Sequence, residues 1–168
     1  FKHAIVFGLS QTDGEPLPTV DVPDVSAAAD DLLGKLRRVA ESRGIAVTFQ
    51  PMGRDGLYGV SKKGALQISN EHATGQQSKT LAHELAHEAM HWEDRGPLTR
   101  SIAELEAESV AYVVCQHFGL DVEVRASRYI ALWQGDSKAL RESLHRISET
   151  TKGIIDDAET ADGKAVAA

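Results

Sequence analysis

The chain has a single cysteine, Cys115, among 168 residues, which excludes an internal disulfide and points to a reducing, cytoplasmic setting. Cys115 falls on the apolar side of a predicted helix, where a thiol acts as a small hydrophobe and not as a nucleophile. No run approaches the ~20 apolar residues that a membrane span needs, so no membrane partner is expected. The first residues also lack the basic and apolar regions of a secretory signal. Basic residues are in deficit, since 18 Lys and Arg against 25 Asp and Glu leave a net charge of −7. Those present are scattered, as in Lys35, Arg37, Arg38 and Lys62-Lys63. Without a basic face to neutralise phosphates, direct nucleic-acid binding by this segment is not expected. No internal repeat is present. The remainder, 42% apolar and 26% charged, is the composition of a soluble globular domain with one core.

Against this background stands Thr80-Leu81-Ala82-His83-Glu84-Leu85-Ala86-His87, an HExxH sequence. From Gln76 to Trp92 there is no Gly or Pro, and Leu81, Leu85 and Ala89 recur at helical spacing. Ser78 or Thr80 is the expected cap. Residues i and i+4 share one helix face, so His83 and His87 can each aim a ring nitrogen at one ion about 2.0 to 2.1 Å away. Glu84 lies roughly 100° round the axis, which suits it to hold the attacking water instead of the metal.

Such a site needs a third protein ligand. His91 continues the series, but eight helical residues rise about 12 Å, so His83, His87 and His91 cannot share one ion. His91 fits the last turn of the helix, where a partly charged imidazole is favoured. The metzincin extension is absent, because positions 90 and 93 hold Met90 and Glu93 where that motif has Gly and His. After a Gly96-Pro97 turn, a second helix is predicted from Ser101 and closed by Gly119. Its apolar residues at 103, 107, 110, 111 and 114 define a buried face, with Glu104 and Glu108 on or beside it and Glu106 pointing largely the other way. A carboxylate facing a core is costly unless paired or metal-bound. Glu104 is therefore the expected third ligand, and Glu108 an acceptor for a histidine N–H. The competing reading is a solvated acidic helix start, favoured by the helix dipole.

HELAH followed one loop later by ELEAESVAYVV resembles the ImmA/IrrE family of metallopeptidases, and more closely the carboxy-terminal peptidase domain of ArdC-type antirestriction proteins. Val6 to Gly14 with Pro16-Leu17-Pro18, and the later Tyr129 to Asp136, are similar to segments of the same proteins. The resemblance implies a gluzincin-like site, with His83, His87 and Glu104 as ligands, water in the fourth position and Glu84 as general base. The Glu104 to Glu108 spacing is similar to the ExxxD of thermolysin-type enzymes, with Glu in place of the orienting Asp. ArdC-type proteins carry a single-stranded-DNA-binding domain ahead of this region, which this sequence does not contain. With Phe1 in place of Met, a fragment or processed domain is expected, and any single-stranded DNA contact would run through that missing domain.

The organisation reads as α+β. Residues 1–23 form a linker or extended arm, with a short strand at His3 to Leu9, and residues 24–157 form the metallopeptidase domain. A helix is predicted from Asp24 to Arg43, with Leu32, Leu33, Leu36 and Val39 on one face and Gly44 as its stop. Short strands at Ile45 to Gln50, Gly56 to Val60 and Ala65 to Ser69 give a small antiparallel sheet, with a hairpin turn at Lys62-Lys63-Gly64. This sheet packs on a helical bundle carrying the HExxH helix and the Glu-donating helix, a zincin-like or gluzincin-like arrangement. Ala65 to Ser69 is the candidate edge strand for an extended peptide, with an edge covered by a loop as the alternative. Val124 to Trp133 and Ser137 to Asp157 read as buttressing helices, and residues 158–168 as a disordered tail.

The expected activity is zinc-dependent hydrolysis of a peptide bond, with Mn2+ or Fe2+ as alternative metals because His2Glu ligation is not exclusive. Glu84 would carry the proton from water to the leaving amine. Tyr112, His117 and Tyr58 are the candidate oxyanion donors, and each also reads as a packing residue. The substrate is a protein or peptide, by resemblance a regulatory protein. Two other classes stay open: a metal-stabilised antirestriction or regulatory module with little peptidase activity, and a metal-free helical interaction domain.

Overall fold

Leu32, Leu36, Val39 and Ala40 fall on one face of a first helix, α1 (Asp30–Ser42), and all four are buried. Gly44 adopts a φ of 70°, and Ile45 N–H reaches back to the Ala40 carbonyl at 2.8 Å, so the helix ends there and the chain turns into a strand. The computed structural model describes residues 30–54, 56–92, 100–122 and 137–165. After α1 come β1 (Ala46–Gln50), β2 (Gly59–Lys62), β3 (Ala65–Ser69), α2 (Thr74–Met90), α3 (Arg100–His117) and α4 (Ser137–Ala165). The protein is α+β, as expected from the sequence.

The sheet corrects the expectation in three ways. It is mixed, not antiparallel: its order is β1-β3-β2, with β1 parallel and β2 antiparallel to β3. The Lys63-Gly64 turn, with Gly64 at φ 82°, folds β2 back on one edge of β3 and leaves the other edge to β1. β3 is therefore the central strand, so Ala65–Ser69 cannot be the open edge; the edges are β1 and β2, and β2 is the one that borders α2. β2 also begins at Gly59, later than expected, because Gly53 and Gly56 hold positive φ values of 62° and 75° that interrupt an extended run.

α2 lies between the sheet and α3. Leu81, Ala82, Leu85, Ala86 and Met90 fill the core with Leu66 and Ile68 of β3, Val110 and Val114 of α3, and Ile154 of α4. That burial fixes the rotation of α2 and leaves His83 and His87 on its partly exposed flank. Ser78 and Thr80 do not cap α2. The cap position is Ala73, without a side-chain bond, and both hydroxyls instead donate back to the carbonyls of Thr74 and Gln76 at 2.9 Å. α4 continues to Ala165, past residue 158 where a disordered tail was expected. The reason is packing, because Ala158 is buried in the core beside Ile154. The expected arm at 1–23, the Gly96-Pro97 turn and the helix at 124–133 lie outside the described residues. No helix among the described residues is long and apolar enough to cross a membrane.

Candidate metal centre

One turn of α2 brings His83 Nε2 and His87 Nε2 to 3.1 Å from each other. From α3, Glu104 Oε2 approaches the same two atoms at 3.5 and 3.7 Å. Ligands bonded at about 2.0 to 2.2 Å to a tetrahedral ion sit roughly 3.3 to 3.6 Å apart. The three edges of this triangle, 3.1, 3.5 and 3.7 Å, straddle that spacing, and the donors, two imidazole nitrogens and one carboxylate oxygen, are those a divalent transition metal takes. His83, His87 and Glu104 are also the cluster with metal-ligand proximity among the described residues.

The other ring nitrogens are engaged as well. His83 Nδ1 faces Glu108 Oε2 at 3.4 Å, and Lys79 Nζ holds the other oxygen of Glu108 at 2.7 Å. Glu108 thus accepts the Nδ1 proton, which makes Nε2, the atom facing Glu104, the nitrogen a metal would take in place of its proton. Without a metal the three groups settle their charges among themselves. Burial alone would lower the His83 pKa, but hydrogen bonds to Glu104 and Glu108 and the charge of Glu84 outweigh it and raise it to about 9. Burial, with the like charges of His83 and His91, lowers His87 to about 4. The hydrogen bond from His83 is the largest cause holding Glu104 below its ordinary value. The cluster is thus built to hold one positive charge between two carboxylates.

Glu84 is buried next to this triangle, on the side of the sheet. Burial is the main cause that raises its pKa to about 7, helped by Glu104 and Glu88 and opposed by His83 and a backbone bond from Ser61. Tyr58 O accepts from Ser69 N–H at 2.7 Å, so alternation along β2 turns the peptide groups of Gly59 and Ser61 away from β3. Ser61 then donates to Glu84. Glu88, one turn on, accepts from Gly64 N–H at 2.9 Å and from Trp92 Nε1 at 2.8 Å. Gly59 is needed for this contact. A Cβ there would lie 2.6 Å from Thr80 Cγ2 and 3.0 Å from Glu84 Oε1.

The triangle and Glu84 open into a cleft of ≈ 940 Å³, walled by Tyr58 to Ser61 on one side and by Arg100, Glu104 and Glu108 on the other. Of the three candidate oxyanion donors, Tyr58 lines this cleft, 42% exposed, with its ring on His72. Tyr112 and His117 are not among the residues that line it. They stand eight and thirteen residues along α3 from Glu104, roughly 12 and 20 Å of rise. Tyr112 packs against the core, and His117 pairs with Glu159 of α4 at 2.9 Å. Arg100 was missed as a cleft cation. Its Nε is 3.9 Å from Glu104 Oε1, an i, i+4 spacing legible in the sequence. Glu106 does point away from the triangle, yet it is fully buried, bonded to His91, Ser143 and Arg146. No spacing rule joins Glu106 to residues 40 positions away.

The IrrE N-terminal-like domain of peptidase family M78 matches residues 40–115. A crystal structure of the antirestriction protein ArdC from the R388 plasmid, Mn(II)-bound, superposes with a TM-score of 0.57 at 19% identity, over 90% of this chain and 61% of that one. An uncharacterized Bacillus anthracis protein is 35% identical over 93 residues, which are 52% of this chain and 16% of the relative. The chain thus spans less than two thirds of either protein's length.

Proposed function

We propose that this chain, which belongs through residues 40–115 to the ImmA/IrrE-type peptidase family and stands close to ArdC in fold, is a metal-dependent endopeptidase acting on a regulatory protein. The family match makes it a metallopeptidase-type domain, and the observation that carries the finer reading is the His83–His87–Glu104 triangle with a buried Glu84 beside it. Zinc is the metal we assign, with Mn2+ the alternative supported by the Mn(II)-bound neighbour. When bound, the metal would polarise the scissile carbonyl and acidify the attacking water.

The chain's own groups carry the remaining steps. Glu84, held by the Ser61 amide with its pKa raised to about 7, takes the proton from the attacking water and hands it to the leaving amine. Burial by the β2 wall keeps bulk water from competing for that carboxylate. With the Ser61 amide given to Glu84, the outward peptide group of Gly59 and the Ser61 carbonyl suit pairing with an extended peptide, which fixes its main chain without demanding its sequence. Tyr58 and Arg100, on opposite walls of the cleft, are the groups from which an oxyanion donor would come. The net charge of −7 favours a protein substrate over nucleic acid for this segment.

The test is cleavage of a proteome-derived peptide library, read by mass spectrometry, after loading with Zn2+ or Mn2+. New termini made by the wild type and absent with Glu84→Gln would support the reading. Equal products from both would overturn it. The alternative of a metal-stabilised antirestriction module draws on the fold likeness to the antirestriction protein ArdC. It predicts that Glu84→Gln keeps the biological effect.

A further inference from the structure

A second line of hydrogen bonds leaves the candidate metal centre on the side away from Glu84. His87 Nε2 faces Glu104, and its Nδ1 lies 2.7 Å from Nδ1 of His91. His91 is the C-cap of α2, and its backbone N–H bonds the His87 carbonyl at 2.9 Å, so its ring is held under that of His87. His91 Nε2 lies 3.3 Å from Glu106 Oε2. Glu106 is completely buried, and its other oxygen accepts from Ser143 Oγ and from Arg146, whose Nε stands at 3.1 Å. Both of those residues belong to α4.

Only one proton arrangement satisfies every member of this line. If the Nε2 lone pair of His87 is given to a metal, its proton must sit on Nδ1. That N–H can donate only to an unprotonated His91 Nδ1, which puts the His91 proton on Nε2, where it donates to Glu106. Glu106 has to be an anion to accept it, and Arg146 keeps it so. We propose that His91, Glu106 and Arg146 are positioning residues that fix His87 as an Nε2 ligand and tie metal affinity to the docking of α4. This rests on the metal-site reading above. It explains why Glu106 is an ionisable group buried away from the cleft, with His91 between it and His87, and why an arginine of the last helix reaches a carboxylate on α3.

The test uses metal affinity, measured by competition between the whole chain and a chelating dye for Zn2+, in His91→Phe, His91→Gln and Glu106→Gln. Phe fills the space of the imidazole without hydrogen bonds, whereas Gln can accept from His87 and donate to Glu106. The expected result is a loss of affinity of about 10- to 100-fold in His91→Phe and Glu106→Gln, with His91→Gln recovering most of it. Metal-free circular dichroism should stay that of wild type in His91→Phe. Wild-type affinity in His91→Phe, or an equal loss in Phe and Gln variants, would overturn the positioning role while the metal site stands. A wild-type chain that binds no Zn2+ would overturn both.

Discussion

His83 Nε2 and His87 Nε2 lie 3.1 Å apart across one turn of α2, closer than two protonated imidazoles would tolerate. Their opposite shifts, His83 up to about 9 and His87 down to about 4, express that constraint. One charge belongs between them, and Glu104 and Glu108 are placed to face it. A divalent cation at this point would replace a proton.

That replacement can be counted. His83 carries a proton at pH 7 in the metal-free chain because its pKa is raised to about 9, and metal needs the Nε2 lone pair. Metal uptake at pH 7 should release about one proton, and affinity should rise with pH until about 9. Calorimetry in two buffers of different ionisation enthalpy reads the release directly. A heat independent of buffer would contradict it.

Glu84→Gln removes the proton carrier and leaves the three ligands. Peptide hydrolysis should fall by about 10²- to 10⁴-fold with metal content unchanged. The comparison requires both measurements on the same preparation, because loss of metal would give the same loss of rate for a different reason.

Gly59→Ala puts a methyl group 2.6 Å from Thr80 Cγ2 and 3.0 Å from Glu84 Oε1. Overpacking of this kind costs about 1–3 kcal/mol, and any shift of Glu84 should lower activity by tenfold or more, on the order expected for a misplaced reacting group. Thr80→Ser removes that methyl group and should restore part of the stability in the double variant. Additive losses measured by urea unfolding would show that the clash is not with Thr80.

Arg146→Met leaves Glu106 buried without its cation, and the cost should be about 3–5 kcal/mol in urea unfolding at pH 7. Burial would raise the Glu106 pKa, but bonds from His91, Arg146 and Ser143 lower it from 4.5 to about 2. The sign follows: this stability is present above pH 4.5 and is lost as pH falls toward 2. The variant should show a weaker acid dependence in that window. Unchanged stability at pH 7 would mean that Glu106 is neutral in the folded chain.

Sequence and structure agree where the chemistry is local. HELAH on one helix and Glu104 on the next were legible because an i, i+4 pair and a carboxylate beside an apolar face are short-range patterns. The strand at Ala65–Ser69 was legible too, but its central place in the sheet was not. Its alternation reads the same whether one edge or both are paired, and β1 reaches it only after a link of eight residues and the whole of β2. Glu106 shows the same limit. Its spacing on α3 pointed it away from the ligands, correctly, but nothing near it in the chain announces that Arg146 and Ser143 of α4 enclose it. Tyr112 and His117 have the right residue type for an oxyanion donor, but the rise along α3 sets them outside the cleft lining.

The central claim is that His83, His87 and Glu104 hold a metal, and elemental analysis of protein purified without chelators tests it most directly. The account predicts about one zinc or manganese per wild-type chain and clear loss in Glu104→Ala, because three protein ligands are needed to close the site. No metal in the wild type after incubation with Zn2+ or Mn2+, or equal metal in Glu104→Ala, would contradict it.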